Sequence, residues 1–169
     1  MNRLQWLAMI TLMGAVSSAR SSEYVTYSGP ESIEQGEITY RIDSKRGITS
    51  SADSSETAFF CPGGSNYYCF DDGALVFYVP KKRPNVGDTW KEAGRVYKLE
   101  RTGLIGLLGK KLPVVVISSV SDKHNTVYYY YSFEHGLIAI KVLPGKDIAD
   151  KCYSSDVLFL VGESGFPFE

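Results

Sequence analysis

Redox, metal or acid–base chemistry in this chain would have to come from three cysteines, two histidines and scattered carboxylates. Cys61 and Cys69 bracket Pro-Gly-Gly-Ser-Asn-Tyr-Tyr, a turn-rich loop able to bring its ends together. A bond between them stabilises by about 2.6 kcal/mol on the loop-entropy relation. Cys152 is then left unpaired, although three cysteines admit three single pairings and spacing does not choose among them. His124 and His135 fall in successive turns of a meander, which lie at opposite ends of the strands. No joint metal or catalytic role is therefore expected of them. Asp71 and Asp72 lack the D-x-D-x-D-G loop of a calcium site. No carboxylate pair stands out for glycoside hydrolysis.

Two short strings imitate catalytic motifs and fail on their details. Gly-Leu-Leu-Gly-Lys-Lys, ending at Lys111, has the wrong glycine spacing for a phosphate loop, and Lys111 stands where Ser or Thr would hold magnesium. Gly162 to Pro167 resembles the loop around the nucleophile of trypsin-like serine proteases, but no upstream His has the matching Ala-Ala-His-Cys context. Ser164 therefore reads as a turn residue. Pro80-Lys-Lys-Arg-Pro84 is a short basic connection, and such clusters are ordinarily solvated loops. No cofactor or metal motif survives, which favours binding over catalysis.

The most distinctive run is Tyr128 to Tyr131. Alternation sends Tyr129, Tyr131 and Phe133 to one face and Tyr128 and Tyr130 to the other, so both faces of one strand carry rings. A sheet wet on one side shows a polar second face, so Tyr128 and Tyr130 are expected to be covered or to line a cleft. In the second case they form a stacking platform for an apolar, carbohydrate or peptide ligand.

These residues need strands to place them, and the stretch from Pro113 to Leu143 supplies a meander. Val114 to Val120, Thr126 to Phe133 and Leu137 to Leu143 are rich in Val, Ile, Tyr and Phe, with turn residues between them. Gly136 is the expected left-handed residue of the second turn. Upstream, Gly36 to Asp43 alternates Ile38, Tyr40 and Ile42 with Thr39 and Arg41, and Arg95 to Thr102 alternates in the same way. Tyr24, Val25 and Tyr27 suggest an edge strand. Thr57 to Cys61 and Tyr67 to Phe70 flank the cysteine loop, and Ala74 to Val79 and Val157 to Val161 are further strands. Val86 to Trp90 turns Trp90 onto a sheet margin. Ser44 to Glu56 reads as an exposed loop or a locally disordered segment, Gly103, Gly106 and Gly109 interrupt an apolar run, and Lys110 and Lys111 turn back into Val114. Asp147 to Cys152 suggests a short helix.

The N-terminal twenty residues place Arg3 before an apolar run, Leu4 to Val16, and then small residues. That is a secretory signal peptide, 1–19, cut after Ala19, with cuts after Ser17 or Ser18 close behind. No cysteine precedes Cys61, so lipidation at the cut is excluded. Removing Arg3 takes the 18 Lys and Arg to 17 against 19 Asp and Glu, so no overall field draws the mature chain to nucleic acid. No transmembrane segment remains after processing. Residues 20–169 suit a single β-rich domain.

From Val86 to Lys141 the succession of Gly-Asp-Thr-Trp, a gapped strand ending in Leu-Gly-Lys-Lys, a Val-rich strand, Tyr-Tyr-Tyr-Ser and His-Gly-Leu-Ile-Ala-Ile resembles poorly characterised secreted or envelope antiparallel-β proteins. The resemblance covers about a third of the chain. It implies a fold and an envelope setting and carries no catalytic residue.

The expected molecule is mainly β, a single antiparallel sheet of about eight to ten strands, strongly curved or forming an incomplete barrel, with at most short helices. The expected function is a non-catalytic binding or accessory module, periplasmic or secreted. The alternatives are a small secreted hydrolase using carboxylates, or a structural subunit that pairs through an edge strand. N-terminal sequencing of exported protein should begin at Arg20. A mature chain that still begins at Met1 would overturn the processing assignment.

Overall fold

The computed structural model describes residues 24–29, 39–51, 54–120, 126–143, 156–162 and 165–167. Within them the chain is all β, with thirteen strands and no helix. The expected signal peptide 1–19, His124, the expected helix 147–152, Cys152 and Ser164 lie outside the described residues. In chain order the strands are β1 (Val25–Ser28), β2 (Thr39–Asp43), β3 (Ile48–Ser51), β4 (Ser54–Thr57), β5 (Phe59–Phe60), β6 (Tyr67–Asp71) and β7 (Val76–Pro80). They continue as β8 (Thr89–Glu92), β9 (Arg95–Leu107), β10 (Lys110–Val120), β11 (Thr126–Ser132), β12 (Gly136–Leu143) and β13 (Asp156–Leu160).

The strands form two antiparallel sheets rather than the single one expected: ten strands in the order β4-β3-β2-β1-β13-β12-β11-β10-β9-β8, and three in the order β5-β6-β7. Two meanders, β1 to β4 and β8 to β13, meet where β1 pairs with β13. The small sheet is the excursion between them. The edge strands β4 and β8 do not pair, so the large sheet is not a closed barrel.

Hydrogen bonds require the large sheet to wrap around the small one. Thr49 Oγ1 on β3 donates to Asp72 Oδ2 at 2.7 Å, and the Tyr40 hydroxyl on β2 donates to the same oxygen. Four residues further on, the carbonyl of Val76 accepts from Tyr97 on β9 (2.9 Å) and Tyr129 on β11 (2.7 Å). On a flat sheet β3 and β9 would be about 34 Å apart at the usual strand spacing. A four-residue span of chain reaches at most about 14 Å. The sheet must therefore curl, and irregularities at Val116/Ile117 and Tyr130/Tyr131 supply the local bends. Trp90 on the edge strand β8 closes the wrap by donating to the Tyr78 carbonyl at 3.1 Å.

The inner face carries the core, which includes Tyr27, Ile42, Tyr97, Leu99, Ile117, Tyr129 and Ile140, packed on Phe70, Phe77 and Val79 of the small sheet. Phe77 stacks on Phe70 and meets Tyr129 edge to face at 5.1 Å. Tyrosine suits this interface because its ring fills the core while its hydroxyl satisfies a carbonyl that the small sheet leaves buried.

Several local readings change in this context. Ser44 to Glu56 is largely a hairpin, β3 and β4, and not a loop. All four residues of β4 are exposed at the sheet edge, so no apolar period marks it. β1 lies inside the sheet rather than at its edge, because its second partner, β13, is more than a hundred residues away. Gly103 and Gly106 do not break β9, which pairs with β10 through Leu107; the turn is Leu108-Gly109 and not the lysines. Gly136 has the expected positive φ, +75°.

Burial pushes the phenols of Tyr27, Tyr40, Tyr97 and Tyr129 well above their ordinary range, with the Asp72 carboxylate adding to the effect at Tyr40. The unfolded chain releases these protons near pH 10 while the folded chain retains them. Stability is therefore fully present below pH 10 and lost above it, by up to about 1.4 kcal/mol per pH unit for each such tyrosine. Urea melts between pH 8 and pH 11 should show this decline, with tyrosinate absorbance from these groups appearing only on unfolding. A flat stability profile across pH 10 would contradict it.

Candidate functional site

A cleft of about 360 Å³ opens where β11 ends and β10 continues. β11 pairs with β10 only as far as Tyr131↔Val115, after which, among the described residues, β10 has β9 alone as a neighbour. The place of a next strand pair is left as a notch. Its walls come from Thr102, Gly103 and Leu104 on β9, Pro113, Val114 and Val115 on β10, and Tyr131 to Glu134 around the β11–β12 turn, with Arg83 closing it from the loop after β7. This volume falls within the range of small-ligand sites.

The aromatic end of the cleft is an extension of the core. Phe77 contacts Tyr131 at 5.8 Å, and Tyr131 contacts Phe133 edge to face at 5.1 Å. Phe133 is half-buried, and its ring lies 5.1 Å from the Arg83 guanidinium. That contact holds a cation at the cleft mouth without neutralising it. Among the described residues Arg83 has no carboxylate within ion-pair distance. Lys81, its neighbour in the basic connection, is taken up by the Gly63 carbonyl at 2.8 Å and lies over the Tyr68 ring. The basic string is thus divided between two aromatic contacts instead of forming a phosphate site.

The β11–β12 turn is held from outside the meander by the C-terminal segment. Gly165 N donates to the His135 carbonyl and Leu137 N to the Phe166 carbonyl, both at 2.7 Å. Phe166 N donates to the Tyr27 hydroxyl, which donates in turn to the Leu137 carbonyl at 3.0 Å. The Phe166 ring is buried against Phe60, Phe70 and Phe77. His135 thus serves the turn through its backbone.

The structure separates the sequence-derived candidates from this cleft. Tyr128 and Tyr130 lie on the opposite, outer face of β11, each half-buried. Tyr130 stands between Val116 and Ala139, and Tyr128 between Ser118 and Lys141. Beside Tyr128, Lys98 and Ser118 hold the Glu100 carboxyl below its usual range. Cys61 and Cys69 are bonded, Cα atoms 5.2 Å apart, at the far side of the small sheet's hairpin. Asp71 and Asp72 cap a turn: Asp72 Oδ1 accepts from the amides of Ala74 and Leu75 while Oδ2 accepts from Tyr40 and Thr49. Among the described residues no cluster of three His, Cys, Asp or Glu gathers. Sequence reasoning misses Arg83 and Phe133 as a pair because fifty residues separate them; the only local trace is an aromatic at the end of a tyrosine-rich strand.

Among the described residues no helix is long and apolar enough to cross a membrane, and the disulfide is compatible with an extracellular protein. No family model, curated protein or solved structure matches the chain.

A Cβ on Gly165 would fall 1.9 Å from the Leu137 carbonyl oxygen, a backbone atom that cannot move aside alone. Gly165→Ala should therefore destabilise by about 1–3 kcal/mol and loosen the turn bearing Phe133 and Glu134. Gly64→Ala, with open space around its Cα, should stay within about 0.5 kcal/mol. Paired denaturant melts test the contrast, and equal effects would refute the close approach.

Proposed function

We propose that the chain is an exported, non-catalytic binding module of the cell envelope, periplasmic or secreted, that holds a small amphipathic ligand in the cleft beside the β11–β12 turn. The observation that carries this reading is the pairing of an apolar wall, Leu104, Val114 and Phe133, with the Arg83 cation at its mouth, which has no carboxylate within ion-pair distance among the described residues. Such a site fits an apolar body with an anionic or strongly accepting end, as a short peptide or an acylated metabolite would present. Among the described residues that line the cleft Glu134 is the only carboxylate, whereas glycoside hydrolysis uses two across the scissile bond. This favours binding over the hydrolase alternative.

A second reading keeps the ligand on Tyr128 and Tyr130. It is supported by the half-buried rings forming a stripe with Val116 and Ala139 on the outer face. Native mass spectrometry of protein purified from its own compartment separates the two. In the cleft reading, a copurifying small molecule is lost on Arg83→Ala or Phe133→Ala and kept on Tyr130→Ala. Loss on Tyr130→Ala alone selects the outer face. Retention in all three variants would overturn both sites.

A further inference from the structure

Beyond the sheet, β9 and β10 continue as a two-stranded arm. Five residue pairs, from Gly103↔Val114 to Leu107↔Lys110, have no third strand beside them among the described residues. The outer side of the arm's end is apolar: Leu104 is 70% and Leu108 67% exposed, while Ile105, Leu107 and buried Leu112 on its inner side pack against the core. Solvated arms normally carry polar side chains at such positions.

The turn itself shows the most telling departure. Leu108 and Gly109 have φ of +50° and +76°, the two-residue hairpin geometry with both central residues left-handed. Asn-Gly is the favoured pair for that turn, and a γ-branched apolar residue there is locally unfavourable. The chain thus holds leucine at its outermost point against the preference of its own backbone. Lys110 and Lys111 follow at once, both exposed, and Arg101 lies at the base. No carboxylate occurs between Glu100 and Asp122.

We propose that the tip of this arm is a shallow anchor for an anionic lipid surface. Successive residues of the arm point to opposite faces, so Ile105, Leu107 and Leu112 pack against the core on one side while Leu104 stands exposed on the other and Leu108 at the end. The free surface, two leucines at a turn beside cations, is far smaller than the roughly 800 Å² per side that a specific protein interface buries, whereas a lipid interface is engaged by a few apolar side chains with adjacent positive charge. Depth is limited by the arm's open edges, since unpaired backbone groups are not tolerated in the hydrocarbon region. Only Leu108 at the turn and Leu104 on the outer side enter the interface, with Lys110 and Lys111 at the level of the phosphates. The net positive tip complements the anionic headgroups although the whole chain is slightly acidic.

The test is flotation of the purified protein with vesicles of phosphatidylcholine alone and of phosphatidylcholine mixed with phosphatidylglycerol. The protein should float with the mixed vesicles and be released by salt. Leu108→Asn should weaken binding about ten-fold, the effect of removing one buried leucine, while its melting temperature stays equal or rises because Asn suits the turn. Replacing both Lys110 and Lys111 with Gln should reduce binding to mixed vesicles by about ten-fold or more and leave binding to neutral vesicles little changed. Wild-type protein that fails to float with mixed vesicles would overturn the proposal. So would Leu108→Asn protein that floats like wild type, since the attachment would then lie elsewhere. Leu108 lies outside the cleft, so ligand retention is unaffected by this variant and the two proposals fail separately.

Discussion

The carbonyl of Val76 accepts two tyrosine hydroxyls from strands that are not neighbours, and the shape of the molecule depends on that acceptor. A ten-stranded sheet left flat would expose one face along its whole width. Tyr97 and Tyr129 reach inward from β9 and β11 to the same atom, while Tyr40 and Thr49 reach Asp72 from the other wing. The small sheet is thereby held inside the curl, and its own backbone groups are satisfied by side chains of the large one. Removing either donor leaves a buried acceptor less well satisfied and one wing less constrained.

Sequence pattern reveals the parts of this arrangement that are local. The apolar alternation of β2, β9 and β11, the left-handed Gly136, and the Cys61–Cys69 loop each follow from residues within a few positions of one another. What the pattern cannot show is partnership at long range. β1 reads as an edge because nothing near Tyr27 announces β13, and β3 and β4 read as a loop because a polar edge hairpin has no apolar face to display. The same limit separates Arg83 from Phe133. The two faces of Tyr128 to Tyr131 are assigned correctly by alternation, yet the cleft forms beyond that strand's end, where Phe133 leaves the sheet.

Cleft and arm share a cause in the unequal lengths of β9, β10 and β11. Where β11 stops, β10 has one neighbour among the described residues, which opens a notch on one side and leaves a two-stranded extension whose inner side packs on the core. Both features are set by the turn at Phe133 to Gly136, held down by Gly165 and Phe166. A single short tether therefore fixes where the regular sheet ends and its less regular extensions begin.

The pairing of β1 with β13 also determines the order in which this molecule is able to fold. Tyr27 is bonded to residues 110 and 139 positions further along, so the middle of the large sheet joins the two ends of the described chain. During synthesis the first meander must wait, with one strand edge open, until β13 has emerged. Each wing is able to form early, but the seam between them closes last and over the longest loop, which makes folding slow and leaves an edge strand vulnerable to pairing with another chain in the meantime. A chain built this way gains from being held extended until it is complete.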